Sequence, residues 1–426
     1  MQSPIEQISG EKIDNSETGA KKLIETVIMR IVAAAMFALL GRAVLAVGNN
    51  FEASNLASLA LEKVLQDAAP ASGEYVYSSA DTANWMKRYP DHTPIVRLNM
   101  PGTHDSMTWN YSQATQDSLK HITGAINGEV VPPPDYLRCQ DLSPIDMLNR
   151  GIRVFDVRYA FDVTNSTILF FHSSGEISQT ASFEDLLFAL YQWLDDHPSE
   201  AIFMSMQYEG GTVQHAANDA TLQRNLLSIL TSDHARRYFV QAQGTLGSLG
   251  QSRGKITLMQ RFDLDRLPAS ATDELPGLHF SPANWSDNSA YIQLTYNPEK
   301  NLTAYIEDYY QPLTPPGSSA AENIRWKYNA TTANILRAVS DDHPDSLYWS
   351  FASSTNTGNS PPDTPVTQAL GNGTLTPDGG VNHQLLSFLK GLKGQSRVGI
   401  VMFDFFEQPA DLIATFLALQ NPHEDL

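Results

Sequence analysis

The chain has 426 residues, 42% of them apolar and 18% charged, with a formal net charge of −19. That is enough to bury a large core, while so acidic a chain argues against a nucleic-acid partner and against membrane binding through a polybasic patch, since both need clustered Lys and Arg. The single cysteine, Cys139, excludes a disulfide framework or a cysteine-based zinc site within one chain; it reads as a partly buried thiol, because nothing around it in sequence would activate a thiolate.

Residues 1–28 are polar and mixed in charge. From Met29 to Ala46 a short basic start, an apolar run and closing small residues read as a secretory signal, too short and too interrupted by Arg42 to span a bilayer comfortably. An amphipathic surface helix from Ala20 to Leu45 is the alternative. Six sequons, at Asn110, Asn165, Asn284, Asn301, Asn329 and Asn372, favour a secreted or secretory-pathway glycoprotein. The expected organisation is an N-terminal extension over 1–46, a helical and linker segment over 47–79, and one main domain over 80–426. Within the linker segment, Asn49–Asp67 is predicted helical, with Leu56, Leu59, Leu61 and Val64 as a buried stripe.

Strands are predicted over Ile95–Met100, Arg153–Tyr159, Thr167–Phe171, Ala201–Gln207, Lys255–Arg261, Tyr291–Tyr296, Leu347–Phe351 and Val398–Asp404, and Pro101-Gly102 is expected to stop the first sharply. Helices are predicted over Ser182–Asp196, with Ser182 and Asp185 as a capping box, and over Ala217–Leu230, Ala320–Ser340, Asn382–Gly391 and Ala410–Leu419. Strand–helix alternation suggests an α/β fold, either a (β/α)8 barrel or a doubly wound sheet. Near-continuous apolar runs such as Gly399-Ile-Val-Met-Phe403 suit parallel strands buried on both faces. Gly124–Leu137 and Ser353–Val381 are expected to be long loops at a functional rim or disordered insertions.

In a barrel, reactive groups project from the C-terminal ends of strands. Those ends carry His104 and Asp105, Asp156 and Arg158, His172, Gln207 and Glu209, Arg261, Asp308 and Tyr310, and Asp404. Two histidines can act as base and acid in displacement at phosphorus, arginine matches a phosphate's geometry, and a carboxylate behind a histidine fixes its tautomer. Plainer readings stand beside these. Asp156 pairs with Arg153 or Arg158 as a structural bridge, Arg261 pairs with Asp263, Tyr310 is packing, and Trp109 and Tyr111 are core rather than a lipid-touching rim. No Gly-rich phosphate loop precedes a helix, and no histidines stand at metal-ligand spacing.

Pro-Gly-Thr-His104-Asp-Ser, Gly151-Ile-Arg-Val-Phe-Asp156-Val-Arg158 and a strand ending in His172, followed in register by Arg253–Arg261, Leu347–Ser353 and Arg397–Asp404, resemble the X-domain of phosphatidylinositol-specific phospholipases C. Arg158 in the Asp-x-Arg motif makes the likeness one to the bacterial-type, metal-independent branch. The resemblance implies a distorted (β/α)8 TIM barrel and cleavage of phosphatidylinositol to diacylglycerol and a cyclic inositol phosphate, with no cofactor and no metal. It implies His104 as general base oriented by Asp404, His172 as general acid supported by Asp105, and Arg158 on the phosphoryl oxygens. Asp156, Arg261, Asp308 and Tyr310 would hold inositol. Gln207 stands where the family has a lysine, and Ser173 where glycine is common, which bears on head-group preference. The expected partner is a phospholipid at a membrane surface, met peripherally through rim hydrophobics by a monomer. Two rivals keep the fold: a phosphodiesterase for another head group, and a catalytically silent lipid-binding glycoprotein. A metal-dependent diesterase is a third.

Overall fold

The structure, a computed structural model, describes residues 55–127, 132–173, 175–210, 216–359, 362–392 and 396–420. The signal-like segment Met29–Ala46 lies outside them. The chain divides into two compact units, Met1–Lys63 and Val64–Leu426. Of the first, residues 55–63 are described and are helical, in a helix that spans Asn55–Ser72. The expected stripe on this helix is not buried: Leu56, Leu59, Leu61 and Val64 are all exposed. Its buried residues are the small Ala68, Ala71 and Ser72, and the two alanines join the main core. Leucine spacing alone cannot tell which face meets a neighbour.

The second unit contains strands β1 (Met100–Thr103), β2 (Val154–Phe161), β3 (Ile168–His172), β4 (Gly175–Glu176), β5 (Ala201–Tyr208), β6 (Lys255–Arg261), β7 (Leu278–His279), β8 (Ser289–Asn297), β9 (Leu302–Asp308), β10 (Leu347–Phe351) and β11 (Ile400–Phe403). Their order in the sheet is β7-β6-β5-β2-β1-β11-β10-β9-β8. Every pairing from β7 round to β9 is parallel, and β8 returns antiparallel on β9. The gap between β7 and β8 is filled by side chains, with the Phe280 and Tyr296 rings 5.4 Å apart. This is a distorted (β/α)8 barrel rather than a doubly wound sheet. One predicted strand, β3, is not part of its wall; it pairs antiparallel with β2 and forms a hairpin with β4.

The first strand lies further along than its apolar pattern suggests. Ile95–Arg97 is a 3-10 turn, and β1 begins at Met100, so Pro101 and Gly102 lie within the strand they were expected to end. Packing explains this. A Cβ on Gly102 would sit 2.4 Å from Met402 Sδ and 2.8 Å from the Val154 side chain, so only glycine fits between β2 and β11. Pro101 still accepts from the Arg153 N–H through its carbonyl (2.9 Å). Strand β9 was not among the predicted strands, nor were the two-residue strands β4 and β7.

Side chains alternate across the wall with the strand period of two. Met100, Val154, Phe203, Met259, Ile306, Trp349 and Met402 fill the barrel interior. Their neighbours Phe155, Val157, Met204, Leu258, Val401 and Phe403 face the surrounding helices. Helix Phe183–Asp196 starts where Ser182 accepts from the Asp185 N–H and buries Phe183, Leu186, Leu187, Leu190 and Leu194. Helix Ala320–Ser340 instead buries a polar stripe: Lys327 pairs with Glu307 (2.6 Å), Thr331 donates to Glu307 (3.0 Å) and Asn334 donates to Ser350 (3.0 Å). Both expected loops contain regular structure among the described residues. Gln113–Asn127 is helical, and Ser353–Val381 contains the helix Pro365–Leu370 and a buried network joining Asn323, Asn356 and Asp363.

Candidate active site

Extending the inward register of each strand by two or four residues toward its C-terminal end gives His104, Asp156, Arg158, Gln207, Arg261, Asp308 and Asp404. One mouth collects them because the strands are parallel and adjacent. His104 follows β1, and Asp404 follows β11, its ladder neighbour. His104 Nδ1 is 2.8 Å from Asp404 Oδ1. On the other side of the ring, Arg158 Nη2 is 2.7 Å from His104 Nε2. Guanidinium N–H groups only donate, so Nε2 is the acceptor and Nδ1 carries the proton toward Asp404. Burial and the nearby Arg158 charge hold the His104 imidazole well below its usual pKa, so it stands neutral. Asp404, also buried, has its carboxyl pushed well up.

His172 ends β3, so the hairpin, not the barrel wall, delivers it. Its Nδ1 is 2.7 Å from the Leu137 carbonyl and 3.0 Å from Asp105 Oδ2. A carbonyl only accepts, so Nδ1 carries a proton here too and Nε2 is left for the cavity. Burial lowers the His172 pKa. The two imidazole rings stand 6.0 Å apart and nearly perpendicular, at 89°.

Asp105 reaches His172 because the backbone turns there. In an extended strand it would point away from His104, but its φ of 42° is left-handed. Ser173, after His172, and Phe405, after Asp404, are likewise at φ 55° and 45°. Each such residue costs roughly 1–3 kcal/mol, and three of them beside reactive side chains mark a site held against local preference. Ser173 thus holds a conformation that glycine adopts freely.

Arg158 is the hub. Its Nε donates to Asp156 Oδ2 (3.1 Å) and its Nη1 to both oxygens of Glu209 (2.9 and 3.0 Å). Burial works against its charge, but Glu209, Asp156 and Asp105 outweigh that and raise its pKa further. Arg261 stands 3.4 Å from Asp156 and 3.4 Å from Asp308, with its guanidinium 3.9 Å from the Trp285 ring centroid. Trp285 donates its indole N–H to Asp308 (2.7 Å). The plainer pairings fare differently. Asp156 does bridge Arg158, whereas Arg153 is buried with Glu200 (2.7 Å) away from this set. Arg261 does not pair with Asp263, which takes His279 instead (2.7 Å). Tyr111 is core, while Trp109 is half-buried. Tyr310 donates to Asp287 (2.9 Å). Among the described residues, the buried side-chain oxygen of Gln207 has no hydrogen-bond partner.

Two groups of residues escaped the sequence reading of the site. Glu209, two positions beyond Gln207 on the same face, was noted at its strand end but given no role; it also accepts from the Ser173 N–H (2.9 Å), tying the hairpin to Arg158. The segment Leu137–Gln140 passes behind both histidines: Leu137 O meets His172, Cys139 O accepts from the Phe405 N–H (3.0 Å), and Gln140 Nε2 donates to the carbonyls of His104 and Phe403 (2.8 Å each). No sequence pattern announces such a strap.

The fold is that of the bacterial phosphatidylinositol-specific phospholipases C. The chain is similar to the structure of a mutant of phosphatidylinositol-specific phospholipase C from Staphylococcus aureus, with a TM-score of 0.60 at 18% identity over 80% of this chain and 98% of that one. The structure of the Listeria monocytogenes enzyme gives 0.55 at 20% identity over 80% and 99%. In sequence, the chain is 20% identical over 338 residues to a 1-phosphatidylinositol phosphodiesterase of S. aureus, covering 77% of this chain and 89% of that protein. It is 29% identical over 232 residues to one from L. monocytogenes, covering 54% and 63%. No family model matches. The likeness read from the motifs is thus borne out by these relatives.

Proposed function

We propose that the protein is a phosphatidylinositol-specific phosphodiesterase that works by intramolecular transfer through its two histidines. The observation that carries this reading is the pair of His–Asp units, 6.0 Å apart, on either side of Arg158. His104 Nε2 takes the proton of the inositol 2-hydroxyl as that oxygen attacks the neighbouring phosphorus. Asp404 holds the imidazole in the reactive tautomer and stabilises its charge. His172, protonated on Nε2 and backed by Asp105, gives its proton to the departing diacylglycerol oxygen. Arg158 swings its donation from His104 to the phosphoryl oxygens, which frees the base at the moment substrate binds. Asp156, Arg261 and Asp308, with Tyr310 further out, hold the inositol hydroxyls. General acid–base catalysis of this kind contributes roughly 10²–10⁴-fold per group, and a preorganised donor on the developing charge about 10²–10³-fold.

The membrane is met through apolar side chains on the segments that follow the C-terminal ends of the strands, among them the exposed Leu313, Val366 on the short helix Pro365–Leu370, and Leu375. Among the described residues no helix is long and apolar enough to cross a membrane. Secretion is part of the proposal: all six sequon asparagines are exposed, as a glycoprotein requires.

The deciding experiment is turnover of phosphatidylinositol in excess chelator, with the phosphate product identified. Cyclic inositol phosphate, formed by the wild type and not by His104→Ala or His172→Ala, is expected. Turnover of another head group without cyclic inositol phosphate would favour the second reading, for which the unpartnered Gln207 oxygen speaks.

A further inference from the structure

Cys139 is not the partly buried bystander its sequence context suggests. It is fully buried, and its sulfur lies 3.9 Å from His172 Nδ1. Donor atoms of Asp105, Cys139 and His172 all stand within 4.8 Å of one another, and so do those of His104, Cys139 and Asp404. The thiol thus touches both His–Asp units from behind. A single cysteine cannot make a cysteine zinc site, but the fold brings it an imidazole and a carboxylate, the mixed donor set that suits zinc.

The two trios differ in what they have to spare. His104 Nδ1 and Asp404 Oδ1 satisfy each other at 2.8 Å. Asp105 is 1% exposed, yet among the described residues neither of its oxygens has a hydrogen-bond partner; they approach His172 closely and Arg158 at 3.8 Å. A buried carboxyl whose oxygens accept no hydrogen bond has lone pairs to spare for a metal ion. Asp404 Oδ2, also buried and unpartnered, offers a further oxygen nearby.

We propose that Cys139, His172 and Asp105 form an inhibitory site for a thiophilic divalent cation such as Zn²⁺. The ion enters between the three groups. The thiol proton leaves to solvent as the metal–sulfur bond forms, and the His172 proton moves from Nδ1 to Nε2 as Nδ1 becomes a ligand. His172 can then no longer be charged while the ion is bound, so the acid half of the pair is lost. Binding of the ion does not depend on the proposed function; only the inhibition does.

Cd²⁺ serves as the probe, because its bond to a thiolate absorbs in the ultraviolet where the free protein's thiol does not. Stoichiometric Cd²⁺ is expected to produce that absorption in the wild-type protein and to raise its melting temperature. Cys139→Ser should abolish the absorption and, measured against its own metal-free rate, weaken Zn²⁺ inhibition by at least about tenfold. Asp105→Asn should weaken the absorption titration by roughly 10–100-fold. No thiolate absorption in the folded wild type, or Zn²⁺ inhibition unchanged in Cys139→Ser, would overturn the proposal. If the protein turns over no phosphatidylinositol, the absorption and melting shifts still decide whether the ion binds.

Discussion

Arg158 Nη2 lies 2.7 Å from His104 Nε2, so the cation at the centre of the site donates to the one imidazole nitrogen that Asp404 leaves free. That contact lowers the basicity of His104, second only to burial. It also means that Arg158 and His104 are coupled before substrate arrives.

The coupling has a pH signature. His104 must be neutral to act as a base, so kcat/KM should rise as pH rises through its free-enzyme pKa, and that limb should lie below 6.5. Arg158→Met removes a charge that lowers the pKa, so the limb should move to higher pH. The same substitution should lower kcat by about 10²–10³-fold through loss of the phosphoryl donor. A pH–rate profile in which the limb stays put would show that burial alone sets the basicity.

In the proposed mechanism Asp404 acts through His104, 2.8 Å away. Asp404→Ala should cost activity in the wild-type background and almost nothing further in His104→Ala, since groups that work as a unit are not additive. A double-mutant cycle on single-turnover rates measures this. Additive losses would mean that Asp404 contacts substrate or phosphate on its own account.

Glu176 tests the electrostatics of the hairpin that carries His172. It is 1% exposed, one of its oxygens has no partner among the described residues, and burial pushes its carboxyl up from 4.5 to about 7. A folded-state pKa above the unfolded one gives a contribution that is fully present below pH 4.5 and lost as pH rises through 7. At pH 8 the buried charge therefore costs about 3 kcal/mol. Glu176→Gln should stabilise the protein at pH 8 by up to that amount and much less at pH 5, as read by urea midpoints; equal gains at both would refute the assignment.

Arg153 and Glu200 are wholly inaccessible and paired at 2.7 Å, and Arg153 also donates to the carbonyls of Ala83, Leu148 and Ile152. Removing one partner of such a pair typically costs about 3–5 kcal/mol. Glu200→Ala should therefore lower the urea midpoint strongly while leaving kcat per folded molecule unchanged, because the pair does not touch the mouth. A drop in kcat at full folding would place it in the catalytic network.

What could be read without the structure was whatever has a short period or a local motif. Lys255–Arg261 and Leu347–Phe351 were found to the residue, because alternating burial writes itself into adjacent positions. Asp156 and Arg158 could be assigned to one face for the same reason. The first strand was displaced because its position depends on Gly102 fitting between β2 and β11, a contact with partners about 50 and 300 residues away. The buried Asn, Thr and Lys stripe of Ala320–Ser340 shows no apolar periodicity, so its burial is decided by Glu307 and the β10 backbone it satisfies.

The sequence by itself determined that polar groups crown a set of buried strands, and the motifs they sit in implied the roles proposed for them. Only the tertiary structure decided which group meets which. His104 and Asp404 are 300 positions apart and bond because β1 and β11 pair in parallel register. Asp105 serves His172 because one left-handed residue turns it there. Cys139 sits behind both pairs because a strap from a loop happens to run beneath the mouth. Side-chain periodicity encodes which way a residue faces; it does not encode what the fold brings opposite it.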